Sequence, residues 1–135
     1  MSAQSKIHFI NNAVLRMASK LAYRVADNAP NTFGDLQACG KELVIWSGAS
    51  DKTIYGDCRV NWAFRAWHDS LHLKTGLIFH VDHEIELGRI QASLCDSQLV
   101  ADLIYCEVAG QAEHYKQTGE FVTDQLSFTI KKMGF

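Results

Sequence analysis

A chain of 135 residues, 47% of them hydrophobic and 21% charged, has the size for about one domain with one core, and its single proline argues against a disordered linker. We therefore read residues 1–135 as a single domain. A formal net charge of −2 gives no electrostatic reason to expect a nucleic-acid or anionic-membrane partner.

Four cysteines, Cys39, Cys58, Cys95 and Cys106, show no C-x-x-C spacing, which speaks against a zinc knuckle and a thioredoxin-type redox pair and predicts reduced thiols. No apolar run approaches the roughly 18 residues of a membrane span, and the first residues are too mixed for a secretory signal. The expected location is the cytoplasm.

In chain order, Ile10, Val14, Met17, Leu21 and Val25 recur at helical spacing and predict a first helix from about Ile7 to Asp27, ended by Pro30. Thr32 and Asp35 are cap candidates for a short second helix that Gly40 would stop. Leu43-Val44-Ile45-Trp46 and Thr53-Ile54-Tyr55 read as two extended runs around the turn chemistry of residues 47–51, a small β-hairpin. Helical patterns follow over about 60–74, from a cap at Asp82 to about Cys95, and over Ser97–Lys116 closed by Gly119. In the second of these, Glu84 and Gln91 share a face, with Gly88 between them allowing a neighbour close, and His83, Leu87, Ile90 and Leu94 form the more buried side. The tail, residues 120–133, fits strand or helix equally. The fold class is mainly α (α+β): a helical bundle with a small β-hairpin near residues 43–55.

The chemistry is concentrated on the helix around residues 60–74. At about 100° per residue, Val60, Phe64, Trp67 and Leu71 form an apolar stripe, and Asn61, Arg65, His68 and His72 form a polar stripe beside it. A solvated face usually carries Lys and Glu; this one carries two imidazoles at i and i+4, a spacing that points two ring nitrogens at one ion. The helix from Ser97 repeats the oddity, since its core stripe of Val100, Leu103 and Ile104 continues as Glu107, Gln111 and His114. Buried polar groups must be paired or coordinated. The two stripes are therefore expected to face each other across a divalent metal, zinc, manganese or iron, bound by His68, His72 and a carboxylate from Glu84 or Glu107. Such an ion keeps a position open for water and lowers its pKa towards neutrality. Asp69 is the candidate to orient His72 or act as base, Arg65 to bind an anion or an oxyanion, Gln111 to contact substrate, and Asn61 and His114 to support the ligands.

The ordered set Phe64-Arg65-Ala66-Trp67-His68-Asp69-x-x-His72, Phe79 with Glu84 five residues on, Glu107-x-x-Gly110-Gln111-x-x-x-Tyr115, and Gly119-x-Phe121 with Gln125 resembles a group of short uncharacterised bacteriophage proteins over residues about 60–128. The resemblance implies a phage origin, hence a host cytoplasm, and one site containing His68, Asp69, His72, Glu84, Glu107 and Gln111. It implies no activity. The Trp67–His72 piece is also similar to the H-D core of HD-domain phosphohydrolases, which would make His8 and Asp102 the outer ligands. Likeness to H-E-x-x-H metallopeptidases is weaker, because Asp69 stands where those have Glu. The expected function is a metal-dependent hydrolase acting on a small molecule or phosphoester; the alternative is a phage interaction or virion accessory protein, without catalysis, whose polar core fixes its fold.

Overall fold

The computed structural model describes residues 1–135. Seven helices and two short strands follow in the order α1 (Ala3–Ala18), β1 (Tyr23–Ala26), α2 (Phe33–Ala38), β2 (Leu43–Trp46), α3 (Cys58–Thr75), α4 (Val81–Ser93), α5 (Gln98–Tyr105), a π-helical turn (Cys106–Gly110), α6 (Gln111–Thr118) and α7 (Gln125–Met133). The expected mainly helical bundle with a small β element is what the chain forms.

The β element is not the hairpin that residues 43–55 suggest. β2 pairs in parallel with β1, Tyr23 opposite Leu43 and Ala26 opposite Trp46. Parallel neighbours need a crossover, and α2 supplies it. Its Thr32 cap accepts the Asp35 N–H at 3.1 Å, as expected, and Gly40 follows with φ +70°. Residues 53–55 are instead a buried turn under α1, where Asn11 Nδ2 donates to the Tyr55 carbonyl at 2.8 Å. The helix expected to reach Asp27 stops at Ala18: Leu21 and Val25 continue its spacing by coincidence, while Tyr23 and Val25 are residues that favour a pleated strand.

α3 is the central element. Val60, Ala63, Trp67 and Leu71 pack with Ile10 and Val14 of α1 and with Leu87, Val100, Leu103 and Ile104 from α4 and α5. On its other side Ala66 joins a smaller cluster with Leu36, Leu43 and Ile45, so the two apolar clusters meet along α3. The upper part of its polar stripe holds the loop after β2: Asn61 Nδ2 donates to Ser50 Oγ at 2.8 Å, and Arg65 Nη1 donates to the carbonyls of Trp46 (2.7 Å) and Gly48 (2.6 Å). No helix is long and apolar enough to cross a membrane.

α4 turns a different face inward from the one expected. Leu87, Gly88 and Gln91 are buried, whereas Leu94 is exposed and His83 is a boundary residue whose Nδ1 accepts the Ile78 N–H at 2.9 Å. Asp82 lies in the first turn, and His80 is the cap. Close approach at Gly88 is real: a Cβ there would lie 2.7 Å from Ala109 Cβ and 2.8 Å from Ala109 N, on the π-helical turn. The tail resolves as helix, capped by Asp124. Gly88→Ala is expected to lower unfolding free energy by about 1–2 kcal/mol in urea titrations, an overpacking cost of about 2–3 kcal/mol less the roughly 1 kcal/mol gained in helix propensity; a neutral or stabilising result would mean that the α4 contact gives way freely.

Candidate metal centre

The site grows from three local features. His68 and His72 stand one turn apart on α3, with ring centroids 4.7 Å apart. Gly76, in the left-handed conformation at φ +77°, ends α3 and turns the chain so that the Leu77 carbonyl comes to His72 Nδ1 at 2.6 Å. The short connection then enters α4, which places Glu84 and Gln91, two turns apart, against the imidazoles.

His68 Nε2 lies 3.0 Å from Glu84 Oε2, and His72 Nε2 lies 2.6 Å from Glu84 Oε1. The two Nε2 atoms are 3.2 Å apart, and His68 Nδ1 is 2.8 Å from Gln91 Oε1. A carbonyl only accepts, so His72 carries its proton on Nδ1. With Gln91 Oε1 accepting as well, His68 does the same. Each neutral ring then aims an Nε2 lone pair at the same carboxylate and at the other ring, with no proton between them. Such a centre is short of positive charge. It is satisfied either by two further protons, one per ring, or by one cation.

His68, His72 and Glu84 therefore form a group able to hold a metal ion, with ligand atoms all within 4.8 Å of one another. The donor set fits. Two imidazoles on one tetrahedral ion, with metal–nitrogen bonds of about 2.0–2.1 Å, have nitrogens about 3.3 Å apart, close to the 3.2 Å found here. The groups behind the imidazoles also fit, because both Nδ1–H groups donate to oxygen, of Gln91 and of Leu77, and so fix tautomer and orientation. The 3.0 Å between His68 and Glu84 and the 2.6 Å between His72 and Glu84 are hydrogen-bonded distances that would open around an ion, the second more than the first.

The electrostatics agree. Burial pulls the His68 imidazole down, but hydrogen bonding and charge attraction from Glu84 outweigh this and raise it above the ordinary value. Burial pushes Glu84 up, and the two imidazoles overcome it and hold the carboxyl at about 2. Desolvation raises Asp69, with His68 and His72 pulling the other way.

His68 and Glu84 open into a cleft of about 820 Å³ that Glu107, Gln111, Phe64, Phe79, Tyr115 and Phe121 also line. Glu107 is outside the ligand group. Its Oε2 accepts from Thr129 Oγ1 at 2.7 Å and from Gln111 Nε2 at 3.1 Å, which leaves Oε1 free. Burial raises its pKa, with both donors opposing. Of the two carboxylates considered as third ligand, the structure brings Glu84 to the imidazoles.

Other expected residues lie elsewhere. Arg65 spends its guanidinium on the carbonyls after β2 and stacks over Trp46, and Asn61 holds Ser50, so neither reaches the centre. Asp69 sits near enough to interact through charge but makes no side-chain hydrogen bond; the Leu77 carbonyl orients His72 in its place. His114 packs against Phe128 in a second cleft, because the π-helical turn shifts the helix phase after Glu107. His8 is exposed on α1 and bonded to Asn12, and Asp102 is bonded to Gln98, so the ligand set of an HD-type site is not assembled. Gln91, expected on the face of Glu84, and Phe79, whose ring lies 4.8 Å from that of His72, join the site without having been assigned a role, whereas the Leu77 carbonyl and Thr129 carried no sequence signal.

Comparison with protein-family models, curated proteins and solved structures finds no match to this chain.

A pH dependence follows from these shifts. The raised His68 contributes stability that is complete below its ordinary 6.5 and is lost as pH rises through the folded value. Depressed Glu84 contributes above its ordinary 4.5 and loses that only as pH falls towards about 2. A metal must displace the His68 proton, so the rise in melting temperature on adding zinc is expected to grow as pH climbs from about 6.5 through the folded His68 value, while the ion-free protein loses stability over that interval. A zinc effect that is flat with pH, or largest at the acid end, would contradict this protonation scheme.

Proposed function

We propose that this protein is a metal-dependent hydrolase in which His68, His72 and Glu84 bind a divalent ion. The observation that carries the proposal is the convergence of two imidazole Nε2 atoms on both oxygens of one carboxylate, at the edge of a cleft that holds a second, separate carboxyl. Two imidazoles and a carboxylate suit zinc best, with manganese and iron as the other candidates. Bound there, the ion would act as Lewis acid and lower the pKa of water in its open position.

The remaining roles fall to the chain's own groups. Gln91 and Leu77 hold the imidazoles in one tautomer. Glu107, its Oε2 anchored and its Oε1 free, exchanges protons with the reacting groups, and its raised pKa brings it nearer to the operating pH of a general acid–base. Gln111 positions Glu107 and contacts substrate. Asp69 adds negative charge near the imidazoles and favours a bound cation. The order of motifs, which resembles that of short bacteriophage proteins, is the ground on which a phage origin is included in the same proposal.

Metal analysis of protein purified without a histidine tag, beside the His68→Ala/His72→Ala variant, is the test. The wild type is expected to hold about one ion per chain and the variant none. Zinc at about a hundred times its dissociation constant should add about 2.7 kcal/mol of stability to the wild type. Glu107→Gln is expected to keep the ion and lose on the order of 10²–10⁴ in hydrolytic rate. No metal in either protein, with melting unchanged by zinc or manganese and stability lost on replacing His68, would favour the non-catalytic alternative.

A further inference from the structure

The cleft's own composition narrows the substrate. Its walls are mostly apolar, with Phe64 and Phe79 against the imidazoles and Val108, Tyr115 and Phe121 elsewhere in the lining. No lysine or arginine lines it. The cations nearby are committed elsewhere: Arg65 to backbone carbonyls, Lys116 to Asp82 at 2.6 Å, and Lys132 to Phe128 in the second cleft. The basic side chains that remain in the lining are His68 and His80, and the Nδ1 of His80 is taken by the Asp82 N–H.

This matters because phosphoryl transfer spreads negative charge over oxygens that enzymes neutralise with Arg, Lys or several metal ions. Here a phosphoester would meet one ion and two carboxyls, Glu84 and Glu107. A neutral acyl carbonyl brings no such charge. The aromatic wall points the same way: Phe121 is 76% exposed and stacks on Tyr115 with centroids 4.5 Å apart, and Phe79 is 38% exposed, so large rings stand ready to be covered by an apolar group.

We propose that the substrate is an uncharged acyl compound, an amide or ester bearing an aromatic or branched apolar group, and not a phosphoester; this rests on the hydrolase reading above. In amide hydrolysis the water oxygen forms the new bond to the acyl carbon and the C–N bond breaks. One water proton passes by way of the Glu107 carboxyl to the departing nitrogen, giving a carboxylic acid and an amine.

The test uses the full chain loaded with zinc or manganese. N-acetyl-phenylalanine p-nitroanilide and a p-nitrophenyl arylalkanoate are compared with p-nitrophenyl phosphate and bis(p-nitrophenyl) phosphate, and N-acetyl-phenylalaninamide is compared with phenyl phosphate for binding by calorimetry. Acyl substrates are expected to lead in kcat/KM by at least about 100-fold, and Phe121→Ala to raise KM for them by about tenfold. The amide should bind and phenyl phosphate should not. Faster phosphoester cleavage, or tighter phenyl phosphate binding, overturns the substrate class and leaves the hydrolase standing. A metal-loaded protein that cleaves none of the four overturns both.

Discussion

The structure turns on one carboxylate between two imidazoles. Glu84 offers its two oxygens to His68 and His72, while each ring's other nitrogen already faces an oxygen acceptor. Every nitrogen thus looks at an oxygen, and the centre holds more lone pairs than protons unless it takes up positive charge. Its position is fixed from several directions at once. α3 is pinned through Val60, Ala63, Trp67 and Leu71 in the main core, α4 is drawn against the π-helical turn at Gly88, and Gly76 sends the Leu77 carbonyl back to His72. Packed cores resist small displacements, so this excess of acceptors is not relieved by moving the side chains apart.

The π-helical turn does a second job. By widening the helix at Cys106–Gly110 it lets Ala109 lie against Gly88 and sets Glu107 into the cleft, where Thr129 and Gln111 hold one of its oxygens. Two carboxyls in one cleft are thereby driven apart in character. Glu84 is held ionised by its imidazoles, and Glu107 is pushed by burial towards its protonated form. Divergent environments of this kind separate a ligand or charge carrier from a proton donor.

Much of this was legible in the sequence, and the failures have physical reasons. The i, i+4 histidines and the shared face of Glu84 and Gln91 follow from helical geometry alone, and so does the tight contact at Gly88. The hairpin failed because strand partners are a tertiary choice: Leu43–Trp46 reads as extended, but nothing local says that Tyr23–Ala26, hidden in an apparent helical repeat, is its neighbour. Arg65 and His114 failed for different reasons. Arg65 found three backbone carbonyls in a loop whose course no periodicity reveals, and His114 was carried off the common face by one extra residue in the turn before it.

Both imidazoles are expected to keep Nδ1 protonated and to present Nε2 to a shared cation. Long-range ¹H–¹⁵N spectra of the histidine rings, recorded at about pH 8 with and without one equivalent of zinc, measure this directly. The expected result is Nδ1–H on both His68 and His72 in the zinc-loaded protein, with both Nε2 resonances shifted by the metal. A zinc-loaded spectrum in which either Nε2 keeps its ion-free position, or either ring binds through Nδ1, would contradict it.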